Sequence, residues 1–261
     1  MDGTTLMTQA VTLSVQHGLA TIRMAREHGN AINDALVAGL ASCFAEAERD
    51  PAVRGVLLAA GGKLFCPGLD LQELLSFERP EMAAFMGRFN NCILRLFTFN
   101  KPVVAAIGGH ALAGGCVLAM TADRRSLRRG ALVGLNEIRV GVPLPWGVAL
   151  LLRETVHRTR LEEVALLGKN YSDEDAVAAG LVHEVLDQGG FEEKCLERLD
   201  EFASKDMRSF AATKRYLRTD TAAKMRASDD LFLGEFLDIW FSPSTRLRIE
   251  EIVASLKGRG R

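Results

Sequence analysis

The sequence lacks the features that mark several classes of protein. In 261 residues, no apolar run reaches the roughly 18 residues that a membrane-spanning helix requires. Lys and Arg total 32 against 33 Asp and Glu, so the net charge of −1 gives no basic surplus for nucleic acid or a membrane surface. No low-complexity segment or internal repeat occurs. These absences predict a globular protein with neither nucleic acid nor membrane as a partner.

Cysteine and histidine are scarce, with five of each. The cysteines are widely spaced, and no Cys-x-x-Cys or Cys/His metal spacing occurs, so we expect no metal site. Most lie in apolar patterns that predict buried free thiols, as in a reducing compartment. The first residues show no basic segment followed by an apolar one, so no secretory signal is expected. Together these features predict a cytoplasmic location.

The chain contains alternating strand and helix signals. Val11–Val15 and Leu19–Met24 flank a His-Gly pair and predict a hairpin. Asn33 can cap a following helix, and Val53–Ala59 is a candidate buried strand. The segment Pro80–Phe99 has the three-to-four spacing of an amphipathic helix, whose apolar side chains are core or pocket wall.

The most informative stretch runs from Lys101 to Val142. Val103–Ile107 predicts a buried strand, and Gly114-Gly115 then leads into an apolar helix. Such a helix start leaves backbone N–H groups free at the positive end of the helix dipole, where a developing negative charge is stabilised. Glu137 follows in apolar surroundings. Backbone N–H groups that stabilise an anion, together with one carboxylate nearby, are the groups that a proton-transfer site requires.

A second turn of the same kind lies upstream, in Leu64-Phe-Cys-Pro-Gly-Leu-Asp-Leu. Gly68 permits a sharp turn, and a helical pattern begins at Leu69. Two such turns can provide the two donors of an oxyanion hole. Each turn alone is also explained by tight packing, so the prediction depends on their combination.

The remaining segments carry structural predictions. The cluster Arg124, Arg125, Arg128 and Arg129 is interpreted as a solvated turn. From Phe191 onward the pattern is helical, with interruptions near Thr219-Asp220 and at Ser242-Pro243. We therefore expect a core at residues 1–195 and a C-terminal helical oligomerisation region at 196–261.

Several motifs resemble the enoyl-CoA hydratase/isomerase (crotonase) superfamily in order and spacing. They are Asn30-Ala-Ile-Asn, Phe65-Cys-Pro-Gly-Leu-Asp, Lys101-Pro-Val-Val-Ala-Ala-Ile-Gly-Gly-His-Ala-Leu-Ala-Gly-Gly-Cys and Ala179-Gly-Leu-Val. The resemblance implies an α/β fold, a crotonase-like ββα spiral with a C-terminal helical trimerisation region. It also implies a homotrimer or hexamer that binds an acyl-CoA thioester. Coenzyme A would enter as part of the substrate, with no separate cofactor.

Site residues follow from the same resemblance. The oxyanion-hole donors fall on the backbone N–H groups of Leu69 and Gly114. We expect five residues to contact coenzyme A: Arg26, His28, Ala31, Gly68 and Leu69. Arg suits phosphate, although solvated loop charges explain Arg26 and His28 equally well.

The family's chemistry depends on where carboxylates stand. Similar hydratases carry one glutamate directly after Gly-Gly-Cys and a second near Glu137, whereas this chain has Val117 at the first position. Similar isomerases have an apolar residue there, followed by Gly-Leu-Asn-Glu. We therefore expect an enoyl-CoA isomerase with Glu137 as its one base. The alternatives are a hydratase or dehydratase (a lyase) that uses Glu73 or Asp70 as a second carboxylate, and a non-catalytic binding protein.

Overall fold

The computed structural model describes residues 6–7, 10–227 and 229–259. The strands, in chain order, are β1 (Leu6–Met7), β2 (Val11–Gln16), β3 (Leu19–Met24), β4 (Gly55–Ala60), β5 (Leu64–Cys66), β6 (Val103–Ile107), β7 (His110–Leu112), β8 (Arg124–Arg128), β9 (Leu132–Gly134), β10 (Tyr171–Ser172) and β11 (Glu184–Leu186). The helices are α1 (Asp34–Arg49), α2 (Leu71–Leu74), α3 (Arg79–Phe97), α4 (Gly114–Met120), α5 (Glu137–Val140), α6 (Trp146–Thr155), α7 (Leu161–Leu166), α8 (Asp173–Ala179), α9 (Phe191–Ala203), α10 (Met207–Ala227), α11 (Asp229–Trp240) and α12 (Pro243–Arg259). Within the described residues, no helix is both long enough and apolar enough to cross a membrane.

The strands form two sheets. The larger sheet has the order β1-β2-β3-β4-β6-β8-β11, and the smaller has the order β10-β9-β7-β5. Three times in succession, a strand of the large sheet is followed by a strand of the small sheet and then by a helix: β4-β5-α2, β6-β7-α4 and β8-β9-α5. This repeated ββα unit is the predicted crotonase-like spiral, and α9–α12 supply the predicted C-terminal helices.

Both faces of the large sheet are covered, which explains the continuous apolar runs of its central strands. Val56 and Leu58 of β4 belong to the main core with α1 and α3. Leu57 and Ala59, on the opposite face, pack against Cys195 and Leu199 of α9. The predicted boundary between residues 195 and 196 therefore lies inside a helix that contacts the sheet. The two-part division stays a prediction, and its outermost residues lie outside the described ranges.

Several predictions that depend on a few adjacent residues are confirmed. The hairpin pairs β2 and β3 in antiparallel register. The Asn33 side chain accepts a hydrogen bond from the N–H of Leu36 at 3.1 Å and caps α1 as expected. The predicted helix at Pro80–Phe99 is α3. The five cysteines are free and buried, also as expected.

Two predictions were wrong. The arginine cluster is not a solvated turn, because Arg124–Arg128 form strand β8. Arg125 is only 6% exposed, and its guanidinium donates to the carbonyl oxygens of Leu181, Ala122 and Gly180. The expected interruption at Thr219-Asp220 does not occur either. Helix α10 runs through it, since the polar side chains there lie on a solvent-facing side and the Thr219 hydroxyl donates to the carbonyl of Arg215.

One ionic cluster attaches the C-terminal helices to the core. Asp123, which follows α4, accepts hydrogen bonds through Oδ2 from the N–H of Val103 at 2.8 Å and from Lys214 Nζ at 2.6 Å. Its Oδ1 accepts from Arg218 at 2.9 Å. The Lys214 side chain is 6% exposed, and burial lowers its pKa to about 8 despite the nearby Asp123. The cluster joins α10 to the start of β6.

We expect Asp123→Ala to lower the free energy of unfolding by about 3–5 kcal/mol, because it leaves the buried Lys214 without its counter-charge. Urea denaturation measures this change. Asp238→Ala is the matched control, since the Arg79–Asp238 pair is largely exposed. Its loss should stay below about 1 kcal/mol. Equal losses in the two variants would contradict the role assigned to Asp123.

Candidate active site

The site lies at the carboxyl ends of three strands of the small sheet. Strands β5, β7 and β9 are mutually parallel, so the turns that leave them meet at one edge. The turn after β5 carries Leu69, the turn after β7 carries Gly114, and the turn after β9 carries Glu137. The three residues proposed for the chemistry are therefore brought together by parallel pairing, although they are far apart in sequence.

Close backbone approach holds two of these strand ends together. A Cβ added at Gly115 would lie 2.0 Å from the carbonyl oxygen of Cys66, so only glycine fits between β5 and α4. The N–H of Ala113 donates to the carbonyl of Gly134 at 2.8 Å and links the ends of β7 and β9. Ala113 itself has φ 48° and ψ −124°. That conformation costs about 1–3 kcal/mol for a residue with a side chain, and it reverses the chain just before α4.

The N–H of Leu69 points away from the neighbouring segment, which contains Ile32. Ile32 donates to the carbonyl of Gly68 at 2.8 Å, and Asp70 donates to the carbonyl of Ile32 at 2.9 Å. In such a parallel bridge the groups of the central residue, Leu69, face the other side. Gly68 has φ 107°, a value that favours glycine.

Gly114 is the first residue of α4, and its N–H has no partner within the helix. The two turns are packed together, since a Cβ added at Gly68 would lie 3.3 Å from the backbone nitrogen of Gly114. Among the described residues, no group accepts a hydrogen bond from either Leu69 N–H or Gly114 N–H. Both residues line one cavity. The arrangement suits the binding of an oxygen that gains negative charge.

This cavity has a mainly apolar wall. Its lining residues are Pro67, Leu69, Leu71, Met86, Phe89, Ala113, Gly114, Val117, Asn136, Glu137, Val140, Val142, Pro143, Pro145, Val148, Phe236 and Trp240. Met86 and Phe89 of the amphipathic helix α3 are thus pocket wall as well as core. Among the described residues that line the cavity, Glu137 is the only one with a carboxylate.

The environment of Glu137 makes it a stronger base than an exposed glutamate. Its Oε2 is buried and has no hydrogen-bond partner in the described structure. Burial raises the pKa of this carboxyl from 4.5 to about 7, and a hydrogen bond from its own backbone N–H opposes the rise. A carboxyl with a pKa near 7 can both remove and return a proton at neutral pH.

The neighbouring Cys116 is not a nucleophile in this environment. It is completely buried, and burial together with the charge of Glu137 raises the pKa of its thiol well above the usual range. His110 has a structural role, because its Nδ1 accepts a hydrogen bond from the N–H of Leu132 at 3.0 Å.

The two candidate second carboxylates lie outside the cavity wall. Asp70 accepts a hydrogen bond from the N–H of Glu73 and pairs with Arg26 at 2.8 Å. Glu73 accepts from Asn33 Nδ2 at 2.7 Å and from Arg26 at 3.4 Å. Asp70 therefore fixes the turn before α2, and both carboxylates are engaged by other side chains.

The residues predicted to contact coenzyme A have different positions and partners in the structure. Gly68 and Leu69 form the turn described above. Arg26 donates to the carbonyl of Ala31 at 2.8 Å in addition to its pairs with Asp70 and Glu73, so it braces the loop around the site. Ala31 is nearly buried, and the side chain of His28 lies outside the described part of the structure. Their contacts with coenzyme A stay predictions.

Sequence reasoning missed two residues on α11, Phe236 and Trp240, which close the cavity. Their spacing of four residues is visible in the sequence, but the same spacing is typical of ordinary core. Trp146, the first residue of α6, follows two prolines, Pro143 and Pro145. The prolines line the cavity, whereas the Trp146 ring stacks on Phe232 with centroids 4.3 Å apart and is not among the lining residues.

The ββα spiral, the paired backbone donors and the single carboxylate define an acyl-thioester enzyme of the crotonase type. The family model for enoyl-CoA hydratase/isomerase matches residues 14–232, and the chain belongs to that family.

Relatives of both kinds are similar to it. A probable enoyl-CoA hydratase of Bacillus subtilis is 26% identical, covering 95% of this chain and 97% of its own length. The 1,2-epoxyphenylacetyl-CoA isomerase of Escherichia coli is 32% identical, covering 69% of this chain and 71% of its own length. The solved structure of human mitochondrial delta3-delta2-enoyl-CoA isomerase has a TM-score of 0.92 and 25% identity, covering 96% of this chain and 99% of that one.

We expect Gly115→Ala to lower the free energy of unfolding by at least about 3 kcal/mol, because the added methyl group collides with the Cys66 carbonyl. Gly87→Ala is the matched control. No atom lies within 4 Å of a Cβ built at Gly87 in α3, so this change should stabilise the protein by about 0.5–1 kcal/mol through helix propensity. Chemical denaturation compares both variants, and a mild effect at Gly115 would refute the close approach.

Glu137 should also make stability depend on pH. The folded-state pKa of about 7 lies above the unfolded value of 4.5. Between these values the folded protein holds a proton that the unfolded chain has released. The stabilisation is complete below pH 4.5 and is lost as pH rises through 7.

Glu137→Gln removes this titration, so its stability relative to wild type should increase from pH 4.5 to pH 8 by up to about 3 kcal/mol. Urea denaturation of both proteins at matched pH values measures the difference. Parallel pH profiles would show that the carboxyl is not held in a desolvating site.

Proposed function

We propose that the protein is an enoyl-CoA isomerase that moves the double bond of a 3-enoyl-CoA to the 2-position. One observation carries the proposal. A single carboxylate, that of Glu137, lines the described cavity beside two unpartnered backbone N–H groups. Moving a double bond requires one base that removes and returns a proton, together with donors that stabilise an enolate.

In this mechanism the thioester oxygen accepts hydrogen bonds from the N–H groups of Leu69 and Gly114. The Glu137 carboxylate removes a proton from C2, and the electron pair of that C–H bond forms a dienolate whose charge rests largely on the thioester oxygen. The two N–H groups stabilise this charge. Protonated Glu137 then delivers the proton to C4, and the double bond is left between C2 and C3. Atoms and charge balance without any co-reactant.

Hydration has less support. Adding water across the double bond needs a second group to hold and activate the water, and Val117 occupies the position where similar hydratases carry a glutamate. Asp70 and Glu73 are engaged by Arg26 and Asn33 instead. The Bacillus subtilis relative is named a probable hydratase, so hydration is kept as an explicit outcome of the test below.

The proposal includes the partners expected from the sequence. Arg26, His28 and Ala31 would lie near coenzyme A, which enters as part of the thioester. A homotrimer or hexamer is supported by large apolar side chains that the C-terminal helices expose to solvent, namely Tyr216, Leu217, Leu247 and Leu256. Five buried free thiols are compatible with a cytoplasmic location.

The test follows trans-3-hexenoyl-CoA and, separately, crotonyl-CoA by NMR and mass spectrometry in D₂O. We expect the 3-enoyl thioester to become the 2-enoyl thioester without a hydroxyacyl product. Glu137→Gln should lower kcat by roughly a thousandfold, because amide nitrogen and oxygen cannot act as the base. Binding of the thioester should change little.

Glu73→Gln is the discriminating control. It keeps an acceptor for Asn33 and should retain most of the isomerase rate. Water addition to crotonyl-CoA that is lost in Glu73→Gln would replace the proposal with hydration. Tight binding of both thioesters without turnover would favour a binding protein, and an active Glu137→Gln would refute the assigned base.

A further inference from the structure

The indole N–H of Trp240 has no acceptor within the part of the chain that the structure describes. The residue is completely buried and its side chain lines the cavity that contains Glu137. Its Nε1 has no hydrogen-bond partner among the described residues. An indole nitrogen can only donate, and a buried donor without an acceptor costs about 1–3 kcal/mol. Most buried side-chain polar atoms in proteins have a hydrogen-bond partner, so an unpaired one calls for an explanation.

No group of the described residues is positioned to accept a hydrogen bond from this donor. The ring stacks on Phe236 with centroids 6.0 Å apart. Side chains elsewhere on the same wall are hydrocarbon or thioether groups, including Met86, Phe89 and Val148. A further polar side chain of the cavity, Asn136, also makes no hydrogen bond in the described structure.

An unsubstituted alkenoyl chain cannot supply the missing acceptor. Its one oxygen is that of the thioester, which the proposed mechanism assigns to the N–H groups of Leu69 and Gly114. The remainder of such a chain is hydrocarbon. With this ligand the Trp240 N–H would stay unpaired in the filled site.

We propose that the acyl group accepted here carries a hydrogen-bond-accepting oxygen beyond its reacting carbons, and that the indole N–H of Trp240 donates to it. The substrate class is an oxygenated acyl-CoA, such as a hydroxyacyl, oxoacyl or ether-bearing chain. A site built to pair with such an oxygen discriminates against the analogue that lacks it, because the protein donor is then left unsatisfied. This inference rests on the proposed function only in taking the cavity as the acyl site.

The chain contains a matched control. Its other tryptophan, Trp146, also has a buried Nε1 without a partner in the described structure, but Trp146 is not among the residues that line the cavity. Removing the N–H at either position by a Trp→Phe change therefore separates a ligand-binding effect from the general effect of deleting a buried donor.

The experiment measures binding of saturated thioesters, which cannot isomerise or add water. Dissociation constants for hexanoyl-CoA, 5-hydroxyhexanoyl-CoA and 6-hydroxyhexanoyl-CoA are determined by calorimetry. In the wild-type protein at least one hydroxyacyl thioester should bind roughly fivefold to tenfold more tightly than hexanoyl-CoA. Trp240→Phe should reduce this ratio to near one, and Trp146→Phe should keep the wild-type ratio.

Fluorescence gives a second readout. In Trp146→Phe the remaining tryptophan is Trp240, and a new hydrogen bond to its N–H should shift its emission with the hydroxyacyl thioester and not with hexanoyl-CoA. No preference in the wild-type protein, or the same preference in Trp240→Phe, would overturn the inference.

The measurements also distinguish failure of this inference from failure of the proposed isomerase function. A preference that depends on Trp240, together with no isomerisation of any 3-enoyl thioester, would leave this inference standing and remove the isomerase. Absence of binding to all three thioesters would overturn both.

Discussion

The contact between Gly115 and the carbonyl oxygen of Cys66 is the constraint on which the site depends. It brings the end of β5 against the start of α4 at a distance that no side chain permits. The hydrogen bond from Ala113 to Gly134 adds the end of β9. Because all three ends are fixed by backbone atoms, the backbone positions of Leu69, Gly114 and Glu137 do not rely on flexible side chains. Preorganisation of this kind lowers the reorganisation required when charge develops on a bound oxygen.

The carboxylate of Glu137 differs from three other carboxylates of the protein, which form ion pairs with basic side chains. Asp70 and Glu73 are paired with Arg26, and Asp123 is paired with Lys214 and Arg218. No cation among the described residues lowers the pKa of Glu137, and burial is the main influence on that pKa. These ion pairs hold Asp70, Glu73 and Asp123 away from the cavity.

Local patterns were sufficient to predict several parts of this arrangement. The strand at Val103–Ile107, the glycine-led helix after it and the Asn33 cap each depend on a few adjacent residues. The burial of Arg125 could not be predicted in that way, because its acceptors are carbonyls of Ala122, Gly180 and Leu181, two of them more than fifty residues away. The contribution of α11 to the cavity was also missed, since the spacing of Phe236 and Trp240 is the same in a core helix and in a pocket wall.

Phe236 and Trp240 lie far along the chain from Leu69, Gly114 and Glu137, although all five residues line the same cavity. Leu69, Gly114 and Glu137 come from strand ends within residues 68–137, whereas part of the cavity wall comes from a helix about a hundred residues later. Substitutions in α11 can therefore reshape the cavity without disturbing the strand ends that position these three residues. The shape of the cavity and the placement of its polar groups are encoded in separate segments, and each can evolve independently of the other.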